Sequence, residues 1–146
     1  MSTLAGERFG QLIRLLSLRE IRPVEVRAQR LGDPSPSGGE IKLEWKQAYA
    51  DGDPFEVPPD IRLFRPRYEF ILRQGAFEYF RQTSIFLVAF QVSDVPAFTE
   101  LWEDEEVRKA FLEKQVQRTM WPIFRQHALS GMATVSLPPV PLPWLT

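Results

Sequence analysis

Cysteine is absent from this chain and histidine occurs once, at His127. Disulfides, thiolate nucleophiles and zinc sites built on histidine and cysteine are thereby excluded. No apolar run is long enough to cross a bilayer, since the longest, Ile85 to Phe90, falls far short of the roughly 20 residues a spanning helix needs. The amino end, MSTLAGERFG, has neither the basic start nor the apolar stretch of a signal peptide, so the expectation is a cytoplasmic chain without membrane insertion. A marked excess of either charge is missing as well. The 18 Lys and Arg against 19 Asp and Glu leave a net charge of -1, which argues against a general polyanion binder.

What remains is an ordinary globular composition. With 44% hydrophobic and 25% charged residues over 146 positions, the chain is expected to fold as one domain, 1-146, that buries roughly 70% of its unfolded surface.

Phe9, Leu12, Ile13 and Leu16 recur at helical spacing, which predicts a short helix over Leu4 to Leu16. From Leu18 to Gln29 the period changes to two, so a strand follows, with Pro23 marking an edge or a bulge. The loop Gly32 to Gly39 leads into the cleanest alternation in the chain, where Ile41, Leu43, Trp45, Gln47 and Tyr49 face one way. Asp51 to Asp60, DGDPFEVPPD, reads as a second loop carrying Phe55 and Val57. Two further strands are expected, one from Ile61 with Pro66 as an edge or bulge, and one over Phe77 to Val92. The centre of the latter, Ile85 to Phe90, is apolar on both faces and so needs a cover on each.

A helix is expected from Thr99 or Asp104 to about Thr119, with Glu103 to Glu106 complementing its dipole rather than forming a catalytic cluster. At 100° per residue, Leu112, Val116 and Met120 form one apolar line, and Val107, Ala110 and Phe111 a second, roughly opposite. Two such faces call for two partners, the chain's own sheet and a neighbouring subunit. Val107, Phe111, Leu112 and Val116 are therefore candidate oligomer contacts.

Pro122 suits a first helical position and marks a second helix, with Phe124, Ala128, Met132 and Val135 as its apolar stripe. Its small residues, Ala128, Ser130, Gly131 and Ala133, invite close approach. Four prolines between Leu137 and Trp144 then force an extended path.

That C-terminal pattern carries a resemblance. Met120, Trp121, Pro122, Arg125, Leu137, Pro138, Pro139, Val140 and Leu142 match, without a gap, the signature of the SecB family of export chaperones and their SecB-like relatives. Upstream the likeness is one of layout, with a weak echo around Leu18 to Ala28. Ile123 stands where the family usually has an aromatic and Val135 where it usually has a helix-ending glycine. The resemblance implies an α+β fold: a four-stranded antiparallel sheet with two C-terminal helices packed on one face, preceded here by a short N-terminal helix. It also implies a homo-oligomer, expected to be a tetramer, that holds unfolded or partly folded polypeptides without ATP. No acidic tail is matched, which weakens the expectation of docking to the SecA motor and raises that of an antitoxin as dedicated partner.

The candidate client-binding residues are Leu43 and Trp45 on the second strand, with Phe55, Val57, Phe98, Val140, Leu142, Trp144 and Leu145 on proline-punctuated segments. Trp121, Pro122, Arg125, Leu137, Pro138 and Pro139 are expected to be structural. No catalytic residue, metal or cofactor is expected, because His127 lacks a nucleophile or carboxylate at a useful spacing. A competing reading takes Arg62, Arg65, Arg67, Arg73 and Arg81, interleaved with Phe64, Tyr68, Phe77 and Tyr79, as an RNA-binding sheet face. It requires those arginines to share one exposed face.

Overall fold

The computed structural model describes residues 3-35, 38-140 and 142. Helix α1, Thr3–Arg14, lies where the periodicity places it and buries Ala5 and Leu12. It packs against the helices at the other end of the chain, with Arg8 paired to Asp104 at 3.2 Å.

Strands β1 (Leu16–Arg30), β2 (Ile41–Tyr49), β3 (Phe55–Val57), β4 (Ile61–Phe64), β5 (Pro66–Gln74) and β6 (Phe77–Val92) form one antiparallel sheet. The expected sheet had four strands; this one has six. One addition comes from proline chemistry and the other from a short strand pairing. Pro66 has no N–H to give, and the N–H of Arg65 goes to the Asp53 carboxylate at 2.6 Å, so the strand expected from Ile61 breaks into β4 and β5. The two pieces still pair β6 in a single register, Phe64 with Val88 and Arg67 with Ile85. Phe55 to Val57, read as loop, instead pairs β4 as β3.

β1 runs along the opposite edge of β6, with register shifts at Leu18/Glu20 and at Pro23/Glu25. The second is the bulge that Pro23 announces.

The alternation of β6 sorts the sheet into two faces. Phe80, Phe86, Val88, Phe90 and Val92 are buried on the inner face, while Ile85 and Leu87 on the outer face stay half-exposed. The helices cover only the inner face. Tyr68 stacks on Phe124 at 4.6 Å, and Phe64 meets Phe111 at 5.6 Å.

α2 (Val95–Trp102) starts earlier than expected, because Asp94 caps it by accepting the Ala97 N–H at 3.1 Å. α3 (Glu105–Ala110) is capped in turn by Asp104, whose Oδ1 accepts from Glu106 and Val107. Glu105 and Glu106 fill its first turn, so the acidic run is a helix start. A π-helical turn, Phe111–Val116, then joins α3 to α4 (Gln117–Thr134) without a break.

Two expectations fall with that continuity. Pro122 lies inside α4 instead of opening it. An interior proline costs about 3 kcal/mol, but Met120, Trp121 and Phe124 beside it are all buried, each contributing roughly 1.5–3 kcal/mol. Secondly, a π turn bonds i to i+5 and takes more residues per turn than the 100° period allows. It brings Phe111 and Val116 onto one face, and Val107, Phe111 and Val116 are all 0% exposed in the protomer's own core. Their expected role as oligomer contacts is thereby corrected. Of the four, Leu112 alone keeps exposed surface.

Candidate client-binding surface

The C-terminal segment is held to α4 by its own sequence. Ser136 takes a positive φ of 59°, the Ser136 N–H reaches the Ala133 carbonyl at 3.0 Å, and the Leu137 N–H reaches that of Met132 at 2.9 Å. These are the paired bonds of a Schellman ending, so the left-handed residue falls at Ser136, one position beyond Val135. Arg30 of β1 adds a bond from Nη1 to the Val135 carbonyl at 2.8 Å. Farther along, Arg125 Nε donates to the Leu142 carbonyl at 3.0 Å, and the Val140 N–H points at the Met132 sulfur at 3.4 Å. Leu137 and Leu142 are buried, whereas Pro138 and Pro139 face solvent.

The candidate client-binding residues do not converge. Leu43 and Trp45 lie half-buried on the inner face of β2, with the Trp45 ring 4.4 Å from that of Trp121. Val140 is likewise half-buried against the core. Phe98 and Leu142 are each only 2% exposed, so their assignment to a groove is corrected: prolines nearby mark extended backbone, and extended backbone can still deliver its side chains inward. Trp144 and Leu145 lie outside the described residues.

Phe55 and Val57, in contrast, are 42% and 41% exposed and stand on the outer face. Their strand partners are Leu63 and Ile61, and Leu63 pairs onward with Ala89 of β6. With Leu87 these make an apolar strip across three strands that none of the described helices covers. The Arg65 guanidinium lies 3.5 Å over the Phe55 ring and is fixed by Asp53, Nε to Oδ1 at 3.0 Å, so one side of the ring is screened by a held cation. Beside the strip, Ala48, Tyr49, Ala50, Arg65, Arg67 and Ile85 line a cleft of about 370 Å³.

Beyond the strip, several outer-face charges are joined in ion pairs. Arg81 bonds Glu78 at 2.8 Å, Arg73 bonds Glu44 at 3.2 Å, and Arg67 reaches Glu69 at 3.4 Å. Hydrogen bonding from Arg81 holds the Glu78 carboxyl below its ordinary range. Arg62 points to the inner face and is buried, so the five arginines do not share an exposed face and the condition for the RNA-binding reading is not met. His127 sets its ring edge-on to Phe86 at 5.0 Å and lends its carbonyl to Gln82. Among the described residues no group of three or more His, Asp or Glu side chains is arranged to hold a metal ion, and no helix is long and apolar enough to cross a membrane.

Beneath β2 lies a largely part-buried hydroxyl network that the sequence pattern does not announce. Gln47 Nε2 donates to Tyr49 Oη and Tyr68 Oη at 3.0 and 3.1 Å, Tyr68 donates to Gln117 Oε1 at 3.3 Å, and Tyr49 donates to the Leu112 carbonyl at 3.4 Å. Burial pushes both phenols well above their ordinary pKa. The network ties the sheet to the π turn, a feature that periodicity alone does not signal.

The SecB-like chaperone Rv1957 of Mycobacterium tuberculosis, in complex with a ChAD peptide from the antitoxin HigA1, superposes on this chain with a TM-score of 0.73. The alignment covers 97% of this chain and 98% of the other at 19% identity. The chain has a SecB-like fold. A protein of unknown function from Streptococcus agalactiae aligns at a TM-score of 0.41 and 9% identity, over 88% of this chain and 97% of its own, which is too loose to build on. No protein-family model matches the sequence, and neither does any curated protein. The SecB-like fold was legible in the C-terminal signature, and its strand count was not.

Proposed function

We propose that this protein is an ATP-independent holding chaperone for non-native polypeptides, and that its natural client is a dedicated one, the antitoxin of a toxin–antitoxin system. The observation that carries the holding role is the uncovered strip of Phe55, Val57, Ile61, Leu63 and Leu87 on a SecB-like fold. An apolar client segment laid along it competes with that segment's burial in itself or in another chain. The antitoxin peptide bound to the Mycobacterium tuberculosis neighbour supports the choice of client.

Oligomerisation belongs to the same proposal. Among the described residues β1 pairs only with β6, and on this proposal the other edge of its 15 residues takes a strand from a second copy. Leu18, Val24 and Val26 on it are 48%, 59% and 46% exposed. A second copy pairing along this edge joins two sheets, and two such pairs make the proposed tetramer, in which weak strips add through effective concentration.

The deciding experiment mixes the protein with a permanently unfolded polypeptide, with the same polypeptide folded, and with an antitoxin, and follows co-elution with mass detection. Capture of the unfolded form or the antitoxin by an oligomer supports the reading. Capture of neither removes it and leaves the fold without this function.

A further inference from the structure

Between the β3–β4 pair and α2 lies a second cleft, of about 280 Å³, on the inner side of the sheet and separate from the apolar strip. Arg62 lies at its base and is 4% exposed. Its guanidinium stands 5.6 Å over the Phe98 ring, which is stacked in turn on Trp102 at 5.4 Å. A guanidinium offers five N–H donors in a planar fork. Among the described residues this one makes a single hydrogen bond, Nη1 to the carbonyl of its own neighbour Ile61 at 3.0 Å.

Its nearest carboxylate is that of Glu56, directly across the β3–β4 pair. At 3.9 Å from Nη2, on a side chain 72% exposed, Glu56 is too far to accept a hydrogen bond and free to swing away. The other charges at the cleft are committed or peripheral. Asp53 is held by Arg65, Arg108 Nη1 donates to the Trp102 and Glu103 carbonyls at 2.8 and 3.4 Å, and Glu103 is exposed at the rim. A buried cation with a distant, mobile counter-ion is poorly stabilised. The group that completes it is a planar carboxylate accepting two parallel N–H bonds.

We propose that this cleft is a carboxylate-binding subsite, in which Arg62 takes one carboxylate of a bound polypeptide in place of Glu56 while Phe98 and Trp102 wall it from water. The inference rests on the holding reading above and adds to it a preference for acidic client segments. Glu56 and Glu103 at the mouth set the preference at a single negative charge.

The test titrates the full-length, isotope-labelled protein by NMR with an acetylated, amidated peptide carrying one central Glu in an apolar sequence, and with its Gln counterpart. A third peptide replaces the internal Glu with a free C-terminal carboxylate. The Glu peptide should bind about tenfold more tightly than the Gln peptide, with shifts at Arg62, Phe98 and Trp102. Relative strength of the third identifies the source of the carboxylate. Glu56→Gln removes the resident competitor and should tighten the Glu peptide several-fold while leaving the Gln peptide unchanged. Arg62→Lys should erase the difference. Equal binding of Glu and Gln peptides by a protein that does capture unfolded polypeptide overturns the subsite alone. Selective Glu-peptide binding without polypeptide capture keeps the subsite and overturns the holding role, and binding of neither overturns both.

Discussion

Arg125 on α4 and Leu142 on the extended segment, 17 residues apart in sequence, are joined by a hydrogen bond from Nε to the carbonyl oxygen at 3.0 Å. The bond fixes the place where the chain passes back along its last helix, and Leu142 beside it is 2% exposed. Bonds to charged groups contribute about 1.5–3 kcal/mol. Arg125→Met should therefore lower unfolding free energy by about 2 kcal/mol in urea titrations, and Leu142→Ala by about 2–4 kcal/mol. Both substitutions should act on stability before they act on client capture. A Leu142→Ala protein of unchanged stability and impaired capture would return this residue to the groove.

Gly131 is required by Gln82. A Cβ at Gly131 would collide with Gln82 Oε1, and Gln82 is 0% exposed, with its Nε2 bonded to the His127 carbonyl at 2.9 Å. Gly131→Ala gains about 1 kcal/mol of helix propensity, yet it must displace a buried amide, at a cost of about 1–3 kcal/mol for the broken bond and more for the strain. The expected result is net destabilisation, read as a fall in the denaturant midpoint. Gln82→Ala in the same chain should recover part of it, and a neutral Gly131→Ala would show that the helix shifts freely.

Phe55 and Val57 contribute little to the core. Replacing both with Ser should change stability by about 1 kcal/mol or less, because surface substitutions outside special features are small and the Arg65 stacking is worth about 0.5–1 kcal/mol at an exposed ring. Capture of an unfolded polypeptide should fall several-fold in the co-elution assay. Undiminished capture would move the client site to another surface.

The sequence made the C-terminal signature legible because its elements are local: a proline, an arginine and a proline pair at fixed offsets. Gly131 was legible as a point of close approach, but its partner on β6 was not, since nothing local links residues 82 and 131. Val107, Phe111 and Val116 were placed at an interface on one assumption, a constant 100° per residue. The π turn at Phe111–Val116 breaks it and folds two apolar lines into one. β3 stayed hidden because Pro54, Pro58 and Pro59 read as punctuation, while its pairing depends on β4. Phe98 went the same way: Pro96 suggested a loop, and Asp94 turned it into a helix cap.

Alkaline pH should open the network of Tyr49 and Tyr68. Each phenol uses its proton, Tyr68 toward Gln117 and Tyr49 toward Leu112, so ionisation would remove a donor as well as bury a charge. Desolvation is the largest cause of the upward shift in both. The sign follows from proton counts. With a folded pKa above the unfolded value of about 10, the unfolded chain begins to lose these protons while the folded chain keeps them. Stability from this source is complete below about pH 10 and falls as pH climbs toward the folded pKa, by up to about 1.4 kcal/mol per pH unit for each tyrosine. Denaturant midpoints measured between about pH 8 and pH 11 should therefore drop over the upper part of that range. Burial raises Tyr79 as well, so Tyr49→Phe removes one of three contributing groups and should flatten the drop by about a third to a half, after an initial loss of about 1 kcal/mol for the bond to the Leu112 carbonyl. If the slope in Tyr49→Phe equals that of the parent, Tyr49 ionises in the folded protein and the hydroxyl network does not hold the π turn to the sheet.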